Sequence, residues 1–206
     1  MIDTMYPPSI EEEEVEMLQP LRWTVDTYCK LAEAGFLAEE DVELIDGEIL
    51  VKMAPQGNRH MVSVTKTEDA LRAAFGDGFV VFEEKHIRIS DDSMPEPDLM
   101  VVRGPVDTYA ERSVWPTDVE LLVEVSDSSI AFDRQTKARL YSDAGVPEYW
   151  IVDLAKRQVE LHRQPAARIG YRSITYVGVD ESVTPLRASA AIPVTSLLPL
   201  APPTKG

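Results

Sequence analysis

The stretch VELLVEVSDSSIAFDRQTKARLYSDAGVPEYWIVD, residues 119–153, decides the fold. Apolar runs at residues 119–125 and 148–153 predict two strands, and residues 133–144 between them predict a helix that ends at Gly145. Strand, helix and strand joined by short loops form a crossover unit, in which the strands are parallel neighbours and the helix packs over them. The stretch therefore predicts an α/β domain.

One carboxylate, Glu124, lies well inside the first apolar run. Burying an ionised carboxylate without a partner costs several kcal/mol, so Glu124 is expected to meet a cation or a metal ion, or to have a raised pKa. Because side chains alternate across a strand, the functional site is expected on the face that carries Glu124. The two predicted faces are Glu120, Leu122, Glu124 and Ser126 on one side, and Val119, Leu121, Val123 and Val125 on the other.

A second carboxylate, Asp98, follows Pro97 and precedes an apolar strand at residues 99–102. The proline fixes the entry into the strand and places Asp98 at its start, where the carboxylate can point into a cleft. An ordinary aspartate between a loop and a strand is the alternative. Glu96 is a weaker candidate, which could support such a site without itself being a metal ligand.

The remaining elements are predicted from caps, turns and periodicity. Thr24 is expected to cap a helix, and Asp46-Gly47 is the strongest hairpin signal in the chain. Glu43 and Glu48 flank that turn, and a solvent-facing position is favoured for Glu48 and only slightly for Glu43. The predicted ranges are a helix at 25–34, a hairpin within 41–53, a helix at 58–75, strand structure at 78–90 with a hairpin or bulge at 83–85, a loop at 104–118 that could cover the cleft, strands at 158–162 and 171–177, and a packed extended tail from 184.

Four strings carry a family resemblance: LLVEVSDSS, GVPEYWIVD, ELIDGEI and PEPDLMVV. Together with His60, they resemble the Uma2-type endonuclease family of the PD-(D/E)xK superfamily of metal-dependent nucleases, over residues 24–162. The resemblance implies a restriction-endonuclease-like core, in which a central mixed sheet is flanked by helices, with an added N-terminal helix and hairpin. One position departs from the superfamily pattern, because Ser126 stands where its ExK element has lysine.

The resemblance also implies a site. Asp98 and Glu124 become the catalytic carboxylates that bind Mg²⁺ or Mn²⁺, both of which prefer oxygen ligands. Lys137, on the predicted helix, is expected to replace the lysine missing at Ser126. The alternative is an exposed ion pair between Lys137 and Asp133, worth only about 0.3 to 0.5 kcal/mol. The supporting residues are Glu43, His60, Ser126, Asp133 and Tyr141.

The function implied by the resemblance is a Mg²⁺-dependent endonuclease that hydrolyses phosphodiester bonds of nucleic acid, with DNA favoured over RNA. A homodimer is expected, because two active sites cut both strands of a duplex and two-fold assemblies are the commonest oligomers. A net charge of −16 is opposite in sign to the basic surface that nucleic-acid-binding proteins usually have. That charge and Ser126 favour the alternative, a non-catalytic nuclease-like module with a binding or regulatory role. An enzyme acting on a small phosphate ester stays open.

Length and composition bound the organisation of the chain. Its 206 residues without a break in composition predict a single domain at residues 21–206, preceded by a disordered acidic segment at residues 1–20. The N-terminal sequence has no basic region followed by an apolar stretch, and no run of eighteen apolar residues occurs. We therefore expect a cytoplasmic protein without a membrane partner.

Overall fold

The computed structural model describes residues 19–38, 40–52, 57–188 and 190–201. Most of the predicted acidic segment, residues 1–18, lies outside these ranges. Helix α1 (Val25–Glu33) begins after Thr24, whose hydroxyl accepts from the Thr27 amide as predicted. Strands β1 (Val42–Ile45) and β2 (Glu48–Val51) form the predicted hairpin, and Asp46 and Gly47 in its turn both have positive φ. The added N-terminal helix and hairpin are thus confirmed.

The other described elements form a six-stranded sheet with helices on both faces and a separate two-stranded sheet. The bounds are α2 (Asn58–Phe75), β3 (Phe79–Glu83), β4 (Leu99–Arg103), β5 (Val119–Ser126), β6 (Glu148–Asp153), β7 (Gln158–Ala166) and β8 (Gly170–Gly178), followed by the short strands β9 (Ser182–Val183) and β10 (Ile192–Pro193). The segment between β5 and β6 is continuous and consists of α3 (Ile130–Phe132), a π-helical segment (Asp133–Lys137) and α4 (Ala138–Asp143), which we call together the crossover helix.

The six-stranded sheet has the order β3-β4-β5-β6-β7-β8. Strands β5 and β6 are parallel and every other neighbouring pair is antiparallel, which makes the sheet mixed as predicted. The parallel pair and the crossover helix confirm the strand-helix-strand crossover unit that was predicted for residues 119–153. The meander of β7 and β8 is also confirmed, although both strands are longer than predicted.

Two apolar layers enclose the sheet. Helix α2 and the C-terminal segment cover one face, where Leu71, Val123 and Trp150 are buried together with Leu197. The crossover helix covers the other face over residues that include Leu122 and Tyr149. Apolar area buried on both faces is what holds such a layered domain together. Among the residues that the structure describes, no helix is long and apolar enough to pass through a bilayer.

A β-bulge corrects the predicted faces of β5. Val101 pairs with Leu121 but Val102 pairs with Val119, which leaves Glu120 as the extra residue. An extra residue shifts the alternation of side chains by one. Val119 therefore packs on the Leu122 side, and Glu120 forms ion pairs elsewhere, with Arg103 and Arg187. The prediction is wrong for these first two residues and right for Leu121 to Val125.

Two loop predictions are wrong for reasons of topology. Residues 104–118 join the end of β4 to the start of β5, so they lie at the opposite end of the sheet from Asp98 and Ser126 and cannot cover a cleft there. The hairpin or bulge predicted at residues 83–85 is instead the end of β3, where Glu84 has a positive φ. The partner of β3 is β4, so a long irregular connection follows.

Candidate active site

A cavity of about 620 Å³ lies where β4 begins and β5 ends. Because β4 is antiparallel to β5 and Leu99 pairs with Val123, Asp98 and Glu124 are brought to the same end of the sheet. The hairpin, the first turn of α2 and the start of the crossover helix form the other walls. The charged lining residues are Glu43, Glu96, Asp98, Glu124, Asp127 and Asp133, with Lys52 and Lys137, and His60 also lines the cavity. Carboxylates thus outnumber lysines in the lining.

Asp98 is held by two contacts to one of its oxygens. Its Oδ2 accepts from the Val125 amide at 2.6 Å and lies 3.1 Å from Nε2 of His60. Burial disfavours the charged imidazole, but the hydrogen bond and negative charge of Asp98 outweigh burial and raise the pKa of His60. The structure therefore brings His60, one of the supporting residues implied by the resemblance, directly to the predicted carboxylate.

Glu124 is almost fully buried, with 6% of its surface exposed. Its Oε1 accepts from the Tyr141 hydroxyl at 2.8 Å and from Nζ of Lys137 at 3.2 Å. Burial raises the pKa of Glu124 to about 8, an effect that Lys137 opposes and that the charge of Asp98 reinforces. The sequence predicted a cation, a metal ion or a raised pKa for this carboxylate, and the structure has a cation next to it together with a raised pKa.

Lys137 comes from the π-helical segment and is buried, with 3% exposed. Its Nζ donates to Oε2 of Glu43 at 2.6 Å as well as to Glu124. Burial alone would lower the pKa of Lys137, but the charges of Glu124 and Glu43 outweigh it and raise the pKa. The alternative of an exposed pair between Lys137 and Asp133 is therefore wrong.

Glu43 is buried, and the slight preference for a solvent-facing position is wrong. All four residues of β1 are buried because the hairpin packs against the rest of the domain. The Glu43 carboxylate also accepts from the Glu96 amide at 3.2 Å. Glu48, across the turn, is exposed and pairs with Arg22, as the solvent-facing interpretation predicts.

Ser126, which stands at the position of the superfamily's lysine, does not line the cavity. Ser126 is buried at the end of β5, and its Oγ lies 3.3 Å from Oγ of Ser129. Ser129 donates to Oδ2 of Asp133 at 2.6 Å, and burial raises the pKa of Asp133. Ser129 and Asp133 line the cavity, whereas Ser126 sits behind them and supports their hydrogen bonds.

Sequence reasoning missed Lys52, the second lysine of the cavity. Lys52 follows β2 directly, and its Nζ lies 3.0 Å from Oε2 of Glu96 and 3.3 Å from Oδ1 of Asp41. About a quarter of its side chain is exposed, so its ammonium is more open to solvent than that of Lys137. A lysine next to a hairpin is ordinary in sequence, and only the docking of the hairpin turns it toward the cavity.

The donor set fits a hard divalent cation. In the part of the chain that the structure describes, no group donates a hydrogen bond to Oδ1 of Asp98 or to Oε2 of Glu124, so each carboxylate keeps an oxygen for a ligand. Within the same ranges, no cluster of three or more His, Cys, Asp or Glu side chains has metal-binding geometry. Two carboxylates supplemented by water suit Mg²⁺, which usually keeps several waters.

Comparison with known proteins gives two similarities. The profile of the Uma2 family, described as "Putative restriction endonuclease", matches residues 25–197. In three dimensions the chain is similar to the crystal structure of "a putative nuclease belonging to DUF820" from Anabaena variabilis, with a TM-score of 0.63 and 18% sequence identity over 84% of this chain and 96% of that chain. At this identity the structural likeness shows the fold alone. No curated protein matches the chain.

Proposed function

Because the chain belongs to the Uma2 family of putative restriction endonucleases, we propose that it is a Mg²⁺-dependent endonuclease that hydrolyses phosphodiester bonds of nucleic acid. The observation that carries the proposal is the convergence of Asp98, Glu124 and Lys137 on one cavity. DNA is proposed over RNA, because the family's description is that of restriction enzymes. Fold alone would not support this step, since one fold hosts many activities.

Asp98 and Glu124 are the residues proposed to hold the metal. When bound, Mg²⁺ or Mn²⁺ would supply a Lewis acid that polarises the phosphate and lowers the pKa of a bound water. The protein contributes fixed ligands, because the Val125 amide and His60 hold one oxygen of Asp98 and the Tyr141 hydroxyl holds one oxygen of Glu124. Orientation of this kind through neighbouring hydrogen bonds is typical of metal sites.

Lys137 is proposed to stabilise negative charge that develops on the phosphate. Its pKa is raised, so it stays an ammonium ion at neutral pH and cannot serve as a general base. An ammonium group has three N–H donors, and here Glu43 and Glu124 take two. The third is left for a phosphate oxygen in the cavity that Lys137 lines. A preoriented charge in a buried site is an effective form of transition-state stabilisation.

The acidic charge of the chain sets an expectation for substrate binding. A net charge of −16 repels a polyanion, so affinity without sequence preference should be weak and should fall as salt is added. Binding then depends on the metal ions and on the few cations near the cavity, including Lys52. We therefore expect activity to be most visible at low ionic strength.

The proposal is tested by incubating the protein with Mg²⁺ or Mn²⁺ and with single- and double-stranded DNA and RNA, beside Glu124→Ala. We expect cleavage that needs the metal and is lost in the variant. Cleavage that persists in Glu124→Ala would point to a contaminating nuclease or to another site. Residual activity should be compared at equal folded fractions, because Glu124 is buried.

One observation favours a second candidate, a non-catalytic module with a binding or regulatory role. The ammonium of Lys137 is already matched by two carboxylates, so the site can be read as an internally satisfied ion cluster. Binding of nucleic acid without cleavage under every metal condition would support this candidate over the endonuclease.

A further inference from the structure

We propose that Glu43 is a positioning residue that keeps Lys137 in the cavity when Glu124 takes up a divalent cation. The inference rests on the proposed function, because it concerns the same metal site. Glu43 would act through the lysine and would not itself bind the metal.

The two hydrogen bonds that Lys137 donates to carboxylates differ in length. Its Nζ lies 2.6 Å from Oε2 of Glu43 and 3.2 Å from Oε1 of Glu124, and hydrogen bonds between charged partners are strongest at the shorter of these distances. The Glu124 oxygen is also shared with the Tyr141 hydroxyl. Glu43 is thus the main anchor of the ammonium, and Glu124 is the secondary one.

A divalent cation on Glu124 would stand close to the ammonium of Lys137. Like charges a few ångströms apart in a buried site repel strongly, because the low dielectric screens them little. Without a second anchor, the lysine and the cation would compete for Glu124. With Glu43 in place, the lysine can give up Glu124 and remain bound.

The carboxylate of Glu43 is fixed by the segment that precedes β4. It accepts from the Glu96 amide at 3.2 Å, and 3% of the residue is exposed. The hairpin itself is docked by the Met94 amide, which donates to the Leu44 carbonyl at 2.7 Å, and by the Gly47 amide, which donates to the Asp92 carbonyl at 2.7 Å. The anchor therefore belongs to an element separate from β5, which carries Glu124, and from β4, which follows Asp98.

Loss of Glu43 should weaken metal binding through Lys137. In Glu43→Gln the amide keeps the shape but not the charge, so the ammonium is left to Glu124 and competes with the cation. We expect the Kd for Mn²⁺ to rise by about tenfold, within the range usual for coupled sites. A purely structural role of Glu43 would not make this effect depend on Lys137.

The test is a double-mutant cycle in Mn²⁺ affinity, measured by electron paramagnetic resonance of free Mn²⁺. The proteins are the native chain, Glu43→Gln, Lys137→Met and the double variant, with Glu48→Gln as the matched control from the same hairpin, where the side chain is exposed. We expect Glu43→Gln to weaken binding in the native background and to have almost no effect when Lys137 is already Met.

The possible outcomes are distinct. Equal weakening by Glu43→Gln in both backgrounds would make Glu43 a ligand or a structural residue, and an unchanged Kd would remove its role; either result overturns the inference while leaving the proposed function intact. If the native chain binds no Mn²⁺, the proposed metal dependence fails first and the inference fails with it. Should Glu43→Gln not fold, Glu43→Asp replaces it, and its shortened carboxylate should weaken Mn²⁺ binding only while Lys137 is present.

Discussion

The carboxylate of Glu43 and the ammonium of Lys137 lie 2.6 Å apart, although 94 positions separate the two residues in the chain. Glu43 belongs to the N-terminal hairpin and Lys137 to the crossover helix, so the contact joins two elements that never pair in the sheet. The cavity is therefore completed by a part of the chain outside the sheet. Glu43→Gln in the hairpin should therefore affect the site, whereas Glu48→Gln, at an exposed position of the same hairpin, should not.

The metal assignment predicts that Asp98→Ala and Glu124→Ala together abolish Mn²⁺ binding. Among the described residues, none donates a hydrogen bond to one oxygen of each carboxylate, and both residues line the cavity. Calorimetric titration measures the effect, with Asp107→Ala as a control on an exposed carboxylate in the loop after β4, at the opposite end of the sheet from Asp98. Equal binding by the native protein and the double variant would disprove the assignment.

For Lys137→Ala we expect turnover to fall by a factor on the order of one hundred, as loss of one oriented electrostatic group usually produces. The protein should also lose about 3 to 5 kcal/mol of stability, because removing one member of a buried ion pair leaves its partners uncompensated. Single-turnover cleavage and urea unfolding measure the two effects. Gln135→Ala, exposed on the same segment, should change neither.

Ser126→Ala tests whether Lys137, and not the residue at position 126, serves the reaction. Ser126 does not line the cavity, so its variant should keep most of its turnover. Greater damage from Ser126→Ala than from Lys137→Ala, in the same kinetic assay, would show that Lys137 is not the group that serves the reaction.

Tyr141 and Tyr149 are buried and pack against each other, but their hydroxyl groups should contribute differently to the stability of the protein. Tyr141 donates to the Glu124 carboxyl at 2.8 Å, whereas Tyr149 donates to the Asp133 carbonyl at 3.3 Å. Hydrogen bonds to charged groups contribute about 1.5 to 3 kcal/mol and neutral ones about 1 kcal/mol, so the comparison is made above pH 8, where Glu124, whose pKa is raised to about 8, is ionised. Tyr141→Phe should therefore destabilise the protein more than Tyr149→Phe in urea unfolding. The reverse order would contradict the contacts of Glu124 described above.

We expect the folded protein to lose stability in mild acid because His162 becomes protonated. Its ring is buried between Tyr149 and Tyr171, and burial lowers its pKa, although Glu160 opposes this and Arg134 adds to it. A histidine whose pKa is lower in the folded state favours folding above its unfolded pKa of about 6.5, and the contribution is lost as the pH falls through the folded pKa.

The check is the free energy of unfolding in urea at pH 7, 6 and 5. The native protein should lose stability across this window more steeply than His162→Gln, which carries no titrating ring. Parallel curves for the two proteins would mean that protonation of His162 does not couple to folding.

Homodimer formation is expected because cleavage of both strands of a duplex is commonly shared by two active sites, and two-fold assemblies are the commonest oligomers. Sedimentation velocity from low to high micromolar concentration measures it. A monomer throughout would contradict the expectation and would make nicks or cuts in single strands the favoured product.

The local pattern of the sequence predicted most elements, and tertiary contacts account for what it missed. Thr24, Asp46-Gly47 and the 148–153 strand could be read because caps, turns and apolar runs are encoded locally. The burial of Glu43 and the placing of Lys52 could not be read, since both depend on how the hairpin docks. No signal within β5 marks its bulge, because the extra residue is defined only against β4.

The π-helical segment at Asp133–Lys137 makes this part of the chain sensitive to its length. An α-helix turns about 100° per residue, so residues spaced four apart overshoot a full turn by about 40° at each step. The wider π turn counteracts that drift between Asp133 and Lys137, and both side chains reach the same cavity. A π turn holds more residues than an α turn, so deleting one residue between Asp133 and Lys137 would let the segment close as an ordinary α turn. Asp133 and Lys137 would then be three residues apart, and their side chains would no longer hold the same relative positions in the cavity, so this segment should tolerate substitution better than a change in residue count.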